Sequence, residues 1–414
     1  MGKLEQYTSY RDSGVEWLGE IPEHWDIKRI KHLFSIGRGR VISQQELDED
    51  GVFPVYSSQT KNNGVLGYIK TYDYDCKQIT WTTDGANAGT VFLRQGKHNC
   101  TNVCGTLQHR NKNEVLEFVN YSLQIAAQFY KRPDTNGAKI MNNEMAGISI
   151  TYPPKEEQTK IASFLDEKTA QIDNAISQKE KLIELLKEQK QIVINEAVTK
   201  GLDKNVEFKD SGVEWIGEIP KHWNINRLKF LFKIRKRIAN SLGYDVLSIT
   251  QKGIKVKDID SGEGQLAMDY SKYQLAFKGD FAMNHMDLLT GYIDISKFDG
   301  VISPDYRVFT LEDRNSIPEY YLRLFQMCYH EKIFYAFGQG VSQLGRWRFP
   351  ADNFNNFFAP IPPKHEQIKI VEYIKTETAK IDKAIELQQN YIAKLKEYKA
   401  SLIEATVTGK VRVA

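Results

Sequence analysis

The segment Asp12–Phe34, DSGVEWLGEIPEHWDIKRIKHLF, returns at Asp210–Phe232 as DSGVEWIGEIPKHWNINRLKFLF, with 17 of 23 positions identical. A chain that carries one stretch twice, with unlike sequence between the copies, is bound to repeat a frame. The chemistry of the repeat is architectural. Asp-Ser-Gly offers a turn capped by its own side chain, and Ile-Pro ends an extended piece. Trp17, Trp25, Trp215 and Trp223 supply large faces that read as core anchors.

A second repeat follows each insert. PPKEEQTKIASFLDEKTAQIDNAI from Pro153 matches PPKHEQIKIVEYIKTETAKIDKAI from Pro362. Each prolyl pair stops a strand and opens a helix, because proline fits the first helical turn. Beyond it, seam positions recur at alternating spacings of three and four. The first seam runs Leu165, Thr169, Ile172, Ile176, Lys179, Ile183, Leu186, Lys190, Val193, Ala197. The second runs Ile374, Thr378, Ile381, Ile385, Gln388, Ile392, Leu395, Lys399, Leu402, Thr406. Both are heptad seams, and each predicts a helix of roughly 40 residues, about 60 Å long. Polar residues interrupt them at matching places: Thr169 with Thr378, Lys179 with Gln388, Lys190 with Lys399. Such positions weaken a coiled coil but fix its register and partner. The two helices are therefore expected to pair with each other, antiparallel if the halves are related by a pseudo-two-fold axis.

The inserts, Ser35–Tyr152 and Lys233–Ile361, share a plan without sharing sequence. In the first, β-type runs GVLGYIK, QITWTT, TVFLR and NVCGTL precede a helical stretch, EVLEFVNYSLQIAAQFY. In the second, DVLSITQ, GDFAMN and DYRVFTL precede IPEYYLRLFQMCYHEKIFYAF. Each then passes through a glycine-bearing loop (DTNGAKIMN, GQGVSQLGRWRF) into a last strand, GISITYPP or NFFAPIPP. The expected class is α/β (α+β). Residues 1–152 and 201–361 form two mixed domains, and residues 153–200 and 362–410 form the long helices. A repeated frame with two varied inserts presents two different binding surfaces, and a two-fold scaffold suits duplex DNA, whose backbone has its own approximate two-fold.

Charged residues make up 26% of the 414 and net charge is only +3, so any phosphate-binding face must be local. Four cysteines are too few and too irregular for a disulfide framework. The N-terminus lacks the apolar core of a signal peptide, and no apolar run is long enough to span a membrane. These features predict a soluble, cytoplasmic protein with no membrane partner.

The chain offers little chemistry of its own. An adenine-N6 methyltransferase needs an Asn/Asp-Pro-Pro-aromatic tetrad. TYPPK at 151–155 and PIPPK at 360–364 put Tyr152 and Ile361 where the acid or amide belongs, and lysine where the ring belongs. SIGRGR and FGQG are lone glycine pairs, and no Walker-type loop occurs. His98, Cys100, Cys104 and His109 overlap within one strand-like segment rather than forming two spaced ligand pairs, so buried thiols are expected and no metal site. His285 is read either as a base-edge contact or as an interior histidine. The expectation is no catalytic residue and no cofactor.

Base reading calls for Arg or Lys on guanine and Asn or Gln on adenine; phosphate anchoring calls for cations and small donors. Candidates in the first insert are Arg38, Arg40, Lys61, Asn62, Asn63, Asn87, Arg94, Lys97, Lys131, Arg132 and Lys139. In the second they are Arg235, Lys236, Arg237, Asn284, Arg307, Gln343, Arg346 and Arg348. KIRKR and GRWR stand out, since clustered cations beside Trp347 combine charge with a planar surface. ELDED at 46–50 is expected to turn away from DNA.

The GVEWxGxIPxHW segments, TTDGANAGT with TNVCG, MDLLTGYID with GVISPDYRVF, and the PPKxEQxKI helix openings together resemble the specificity subunit of a type I restriction–modification system over nearly the whole chain. The resemblance implies two target-recognition domains, each reading one half of a split, asymmetric DNA sequence. It also implies a helical ruler that sets the gap between the halves. The subunit would be non-catalytic. It would recruit two adenine-N6 methyltransferase subunits bringing S-adenosylmethionine, and two restriction–translocation subunits bringing ATP and Mg. A different class, a coiled-coil scaffold whose inserts bind protein or RNA, predicts no salt-dependent preference for any duplex.

Overall fold

A computed structural model describes residues 5–413 except 112, 136, 259–269 and 342–345. The chain divides into two compact units: Met1–Glu180 with Gln389–Ala414, and Lys181–Gln388. The sequence places the long helices apart from the mixed domains. In the structure each long helix is instead divided near its middle, half to each unit.

Both units are built around the same antiparallel sheet. In the first, β1 (Phe34–Arg38), β2 (Gln78–Thr82), β3 (Val91–Arg94) and β4 (Cys104–His109) lie in the order β3-β2-β4-β1. In the second, β5 (Phe232–Arg235), β6 (Phe281–Met283), β7 (Ile293–Ile295) and β8 (Arg307–Leu311) lie in the order β7-β6-β8-β5. The registers correspond as well: Phe34 faces His109, and Phe232 faces Leu311. Phe34 and Phe232, matched positions of the repeat, are both buried at the sheet's start. Phe232 anchors an aromatic cluster in which the Phe281 and Phe309 rings stack 5.2 Å apart.

Two helices close the first unit, α1 (Leu116–Tyr130) and the opening half of α2 (Lys155–Lys200). Their counterparts in the second are α3 (Pro318–His330) and the opening half of α4 (Lys364–Val407). The helix expected to continue to Phe337 stops at His330 because Lys332 takes a left-handed φ of 56°, and a short turn, Ile333–Ala336, follows.

The two sequence repeats are each other's partners. Glu157 accepts hydrogen bonds from the Trp25 indole at 2.9 Å and pairs with His24 at 2.8 Å; Glu366 does the same for Trp223 at 2.9 Å and His222 at 2.7 Å. The neighbouring glutamines tie down the next helix. Gln158 accepts from the Val115 amide ahead of α1 and donates to Pro153 O, while Gln367 accepts from the Ile317 amide ahead of α3 and donates to Pro362 O. An orphan helix-start amide is thereby satisfied in each unit. The Trp25 and Trp223 side chains are fully buried, as core anchors should be. Trp17 and Trp215 are half-buried and stack on Phe129 and Phe357.

Within each unit the halves of α2 and α4 run antiparallel. In the first, Lys399 bridges Asp173 at 2.6 Å while Lys179 lies over the Tyr391 ring; in the second, Lys190 bridges Asp382 at 2.7 Å. The two bridges are repeat-equivalent, so the lysines that interrupt the seams are the residues that register them. Leu165, Ile172, Ile176, Ile183, Ile374, Ile381, Ile392 and Leu402 are buried, while Leu186, Val193, Ile385 and Leu395 are half-buried. No helix among the described residues is long and apolar enough to cross a membrane.

Candidate nucleic-acid interface

The ends of β1 and β2 and the starts of β3 and β4 lie together, because Arg38 faces Gly105, Thr82 faces Cys104 and Trp81 faces Val91. Three loops meet at this sheet end. Loop 83–90 (the TTDGANAGT phrase) folds back through Gly89 N to Thr82 O and is tied to loop 57–64 by Asn87 Nδ2 donating to Ser58 O at 3.2 Å. The hairpin of strands Arg132–Asp134 and Gly137–Lys139 joins through the pairing of Ala138 and Lys139 with Gly85 and Asp84. Its root is fixed by Ile140 N donating to Thr83 O at 2.8 Å. Lys61, Asn62, Asn63, Asn87, Lys131, Arg132 and Lys139 are thus gathered on one set of loops.

Lys61, Asn62 and Asn63 are exposed at a tip where both asparagines hold a φ near +50°, which asparagine tolerates better than most residues. Beneath the tip lies Arg94, expected at the surface but only 2% exposed. Its guanidinium stacks 3.6 Å from the Tyr56 ring centroid and donates to Asn63 O at 2.7 Å and to Thr80 Oγ1 at 3.2 Å. Burial lowers its pKa from the ordinary arginine value. Arg94 therefore supports the loop and is not itself presented to a duplex.

Most of the other candidate cations of this unit are engaged. Arg38 donates to Asn102 O, and Arg40 bridges Glu46 at 2.8 Å and Asp73 at 3.1 Å. Arg132 pairs with Glu144 and Lys139 with Asp134. Lys131 donates to Gln128. Lys97 sits over Tyr72 at the far end of strand Lys97–Cys100, away from the loop cluster. ELDED is partly consumed by these pairs, since Glu46 holds Arg40 and Asp48 holds Lys70.

In the second unit the equivalent sheet end carries Lys236, Arg237, Asn284, Arg307 and the hairpin strands Gln339–Val341 and Arg346–Arg348. Phe349 N donates to His285 O at 2.8 Å, the counterpart of the Ile140–Thr83 bond. Lys236 and Arg348 are exposed. Arg235 bridges Glu312, and Arg237 grips Asp280 with two nitrogens at 2.8 and 3.2 Å. Asn284 is half-buried, its Oδ1 accepting from Met286 N. Arg346 is placed by its backbone in the hairpin, and Gln343 lies outside the described residues.

Arg307 is the second correction. It is 6% exposed, and its Nη2 donates to Phe349 O at 2.7 Å. Burial lowers its pKa to about 10, so it stays charged at neutral pH. Burial, reinforced by Arg307 and Arg348, brings His285 down to about 4, which makes it a neutral interior imidazole. In the first unit His98 pairs with Gln78 and Gly96 O, and Cys100 and Cys104 are buried thiols. Among the described residues no group of three or more His, Cys, Asp or Glu is arranged to hold a metal ion. Sequence reasoning passed over Trp81 and Ser58, which anchor the loops through backbone carbonyls. Only the glycines of DGANAGT signalled that the backbone there was special.

A family profile described as the type I restriction modification DNA specificity domain matches residues 22–193. A Mycoplasma pneumoniae chain described as the N-terminus of a type I specificity subunit is 43% identical over 139 residues, 33% of this chain and 74% of that one. The MjaVIII specificity subunit of a type I restriction enzyme from Methanocaldococcus jannaschii is 27% identical over 423 residues, 95% of this chain and 94% of its own. A chain from a structural study of complex assembly and conformational transition in the type I R-M system superposes with a TM-score of 0.66 at 12% identity, over 94% of this chain and 98% of that one. That likeness establishes the shared fold, and the sequence matches extend it to descent. This chain belongs to the family of type I restriction–modification specificity subunits.

Proposed function

We propose that each unit reads one half of a bipartite, asymmetric DNA site through its sheet-end loops, and that the long helices set the gap between the halves. The observation that carries this reading is the division of labour within each unit. Sheet order, capping glutamate and glutamine, and helix pairing are repeated, while the loops at the sheet end differ in length, residues and charge. A protein that repeats its frame and varies what that frame presents recognises two different things.

The chain itself performs no bond chemistry on this reading. Two methyltransferase subunits would supply S-adenosylmethionine, and two restriction–translocation subunits would supply ATP and Mg. The exposed cations Lys61, Lys236 and Arg348 would meet phosphates, with base reading left to neighbouring amides and cations. Duplexes selected from a random pool by the full chain with its methyltransferase subunits, followed by mapping of methylated adenines, should give two short specific blocks separated by an unspecific gap. A single continuous block would refute the reading.

A further inference from the structure

The root of each reading hairpin is held by a buried side-chain donor, and the two units supply that donor from opposite strands. In the first unit Trp81 on β2 faces Gly105 on β4, and the Trp81 indole donates to Ile140 O at 2.9 Å. In the second unit the equivalent strand pair places Met283 on β6 opposite Arg307 on β8, and Arg307 donates to Phe349 O at 2.7 Å. Ile140 and Phe349 are the same position of the frame. Each follows the hairpin and donates its own amide to the loop residue two places beyond Trp81 or Met283.

The exchange is complementary in volume as well as in hydrogen bonding. A Cβ at Gly105 would overlap the Trp81 ring. The large donor on β2 therefore requires glycine opposite, and the flexible Met283 leaves room for the arginine opposite. Volume alone does not explain the donors. Trp81 is fully buried, and Arg307, also buried, has no carboxylate partner among the described salt bridges. An unpaired buried cation is a costly way to fill space. What both residues share is one N–H aimed at the carbonyl of the hairpin root, a buried acceptor that is expensive to leave unmet.

We infer that Trp81 and Arg307 are positioning residues for half-site recognition: each locks the hairpin that its unit presents to DNA, and each governs the discrimination of one half-site only. This rests on the reading that the sheet-end loops contact DNA.

The test uses the full chain with its methyltransferase subunits, duplexes bearing the selected site, and duplexes with either half scrambled. Trp81→Phe keeps an aromatic ring and removes the donor together with part of the indole's volume. It should speed hydrogen exchange of the amides at 137–140 and lower discrimination at the first half-site by about fivefold to tenfold, leaving the second unchanged. Arg307→Met should do the reverse. Trp81→Met alone should behave like Trp81→Phe, and Trp81→Met with Gly105→Arg, which transplants the second unit's arrangement, should recover most of the loss. Unchanged exchange at 137–140 in Trp81→Phe, equal losses at both half-sites, or no recovery in the double variant would each overturn the inference. If the unaltered chain fails to discriminate either scrambled duplex, the DNA reading fails instead, and the exchange data still report whether the lock exists.

Discussion

His285 sits where single residues decide behaviour. Its imidazole takes up a proton near pH 6.5 when the chain is unfolded and near 4 when folded, because burial comes first and the Arg307 and Arg348 charges add to it. Between those values the unfolded chain binds more protons, so stability falls as pH drops from 6.5 to 4, by at most about 3 kcal/mol from this group. Denaturation of His285→Asn at several pH values should show a shallower acid slope across that window. A slope equal to that of the unaltered chain would contradict the buried, neutral assignment. Residue type alone could not separate this histidine from a base reader, nor Arg94 and Arg307 from surface cations. Their burial is set by carbonyls, Asn63 O and Phe349 O, that exist only once the loops have folded. The engaged cations Arg235 and Arg237 were hidden for the same reason, since their carboxylates, Glu312 and Asp280, lie far along the chain, and Arg40 adds the distant Asp73 to the nearby Glu46.

Elements were far more legible, because their signals are periodic and local. The strand runs QITWTT and TVFLR fall on β2 and β3. The seam spacing foretold helices of roughly 40 residues, and α2 and α4 span 46 and 44. The seam also predicts a gradient in packing. Leu165 is fully buried near the start of α2, whereas Leu186 is half-buried about two-thirds of the way along it. Leu165→Ala should cost about 2–5 kcal/mol and Leu186→Ala about 1 kcal/mol, measured as shifts in urea midpoint. Equal costs would mean that the seam packs uniformly. The Lys190–Asp382 and Lys399–Asp173 bridges are partly exposed, so each is worth at most about 1 kcal/mol. Their contribution is register rather than strength. Less legible was the end of α3. Apolar spacing continues through Lys332, and the left-handed turn there leaves no mark in the periodicity.

At the scale of the whole molecule, duplication was the most readable feature and the one with the most consequences. The His-Trp of one repeat binds the glutamate of the other in both units, and the adjacent glutamine holds the amide ahead of α1 or α3, which explains why the two phrases are duplicated together while the inserts diverge. A frame closed by its own repeats can accept a different insert without loss of its anchors. The most direct measurement of the central claim is therefore an exchange. Residues 35–152 are replaced by the corresponding insert of another family member, and methylated adenines are mapped in cells expressing the hybrid with its methyltransferase subunits. The account predicts that one half of the recognised sequence changes while the other half and the gap stay fixed. A change in both halves, or in neither, would contradict it.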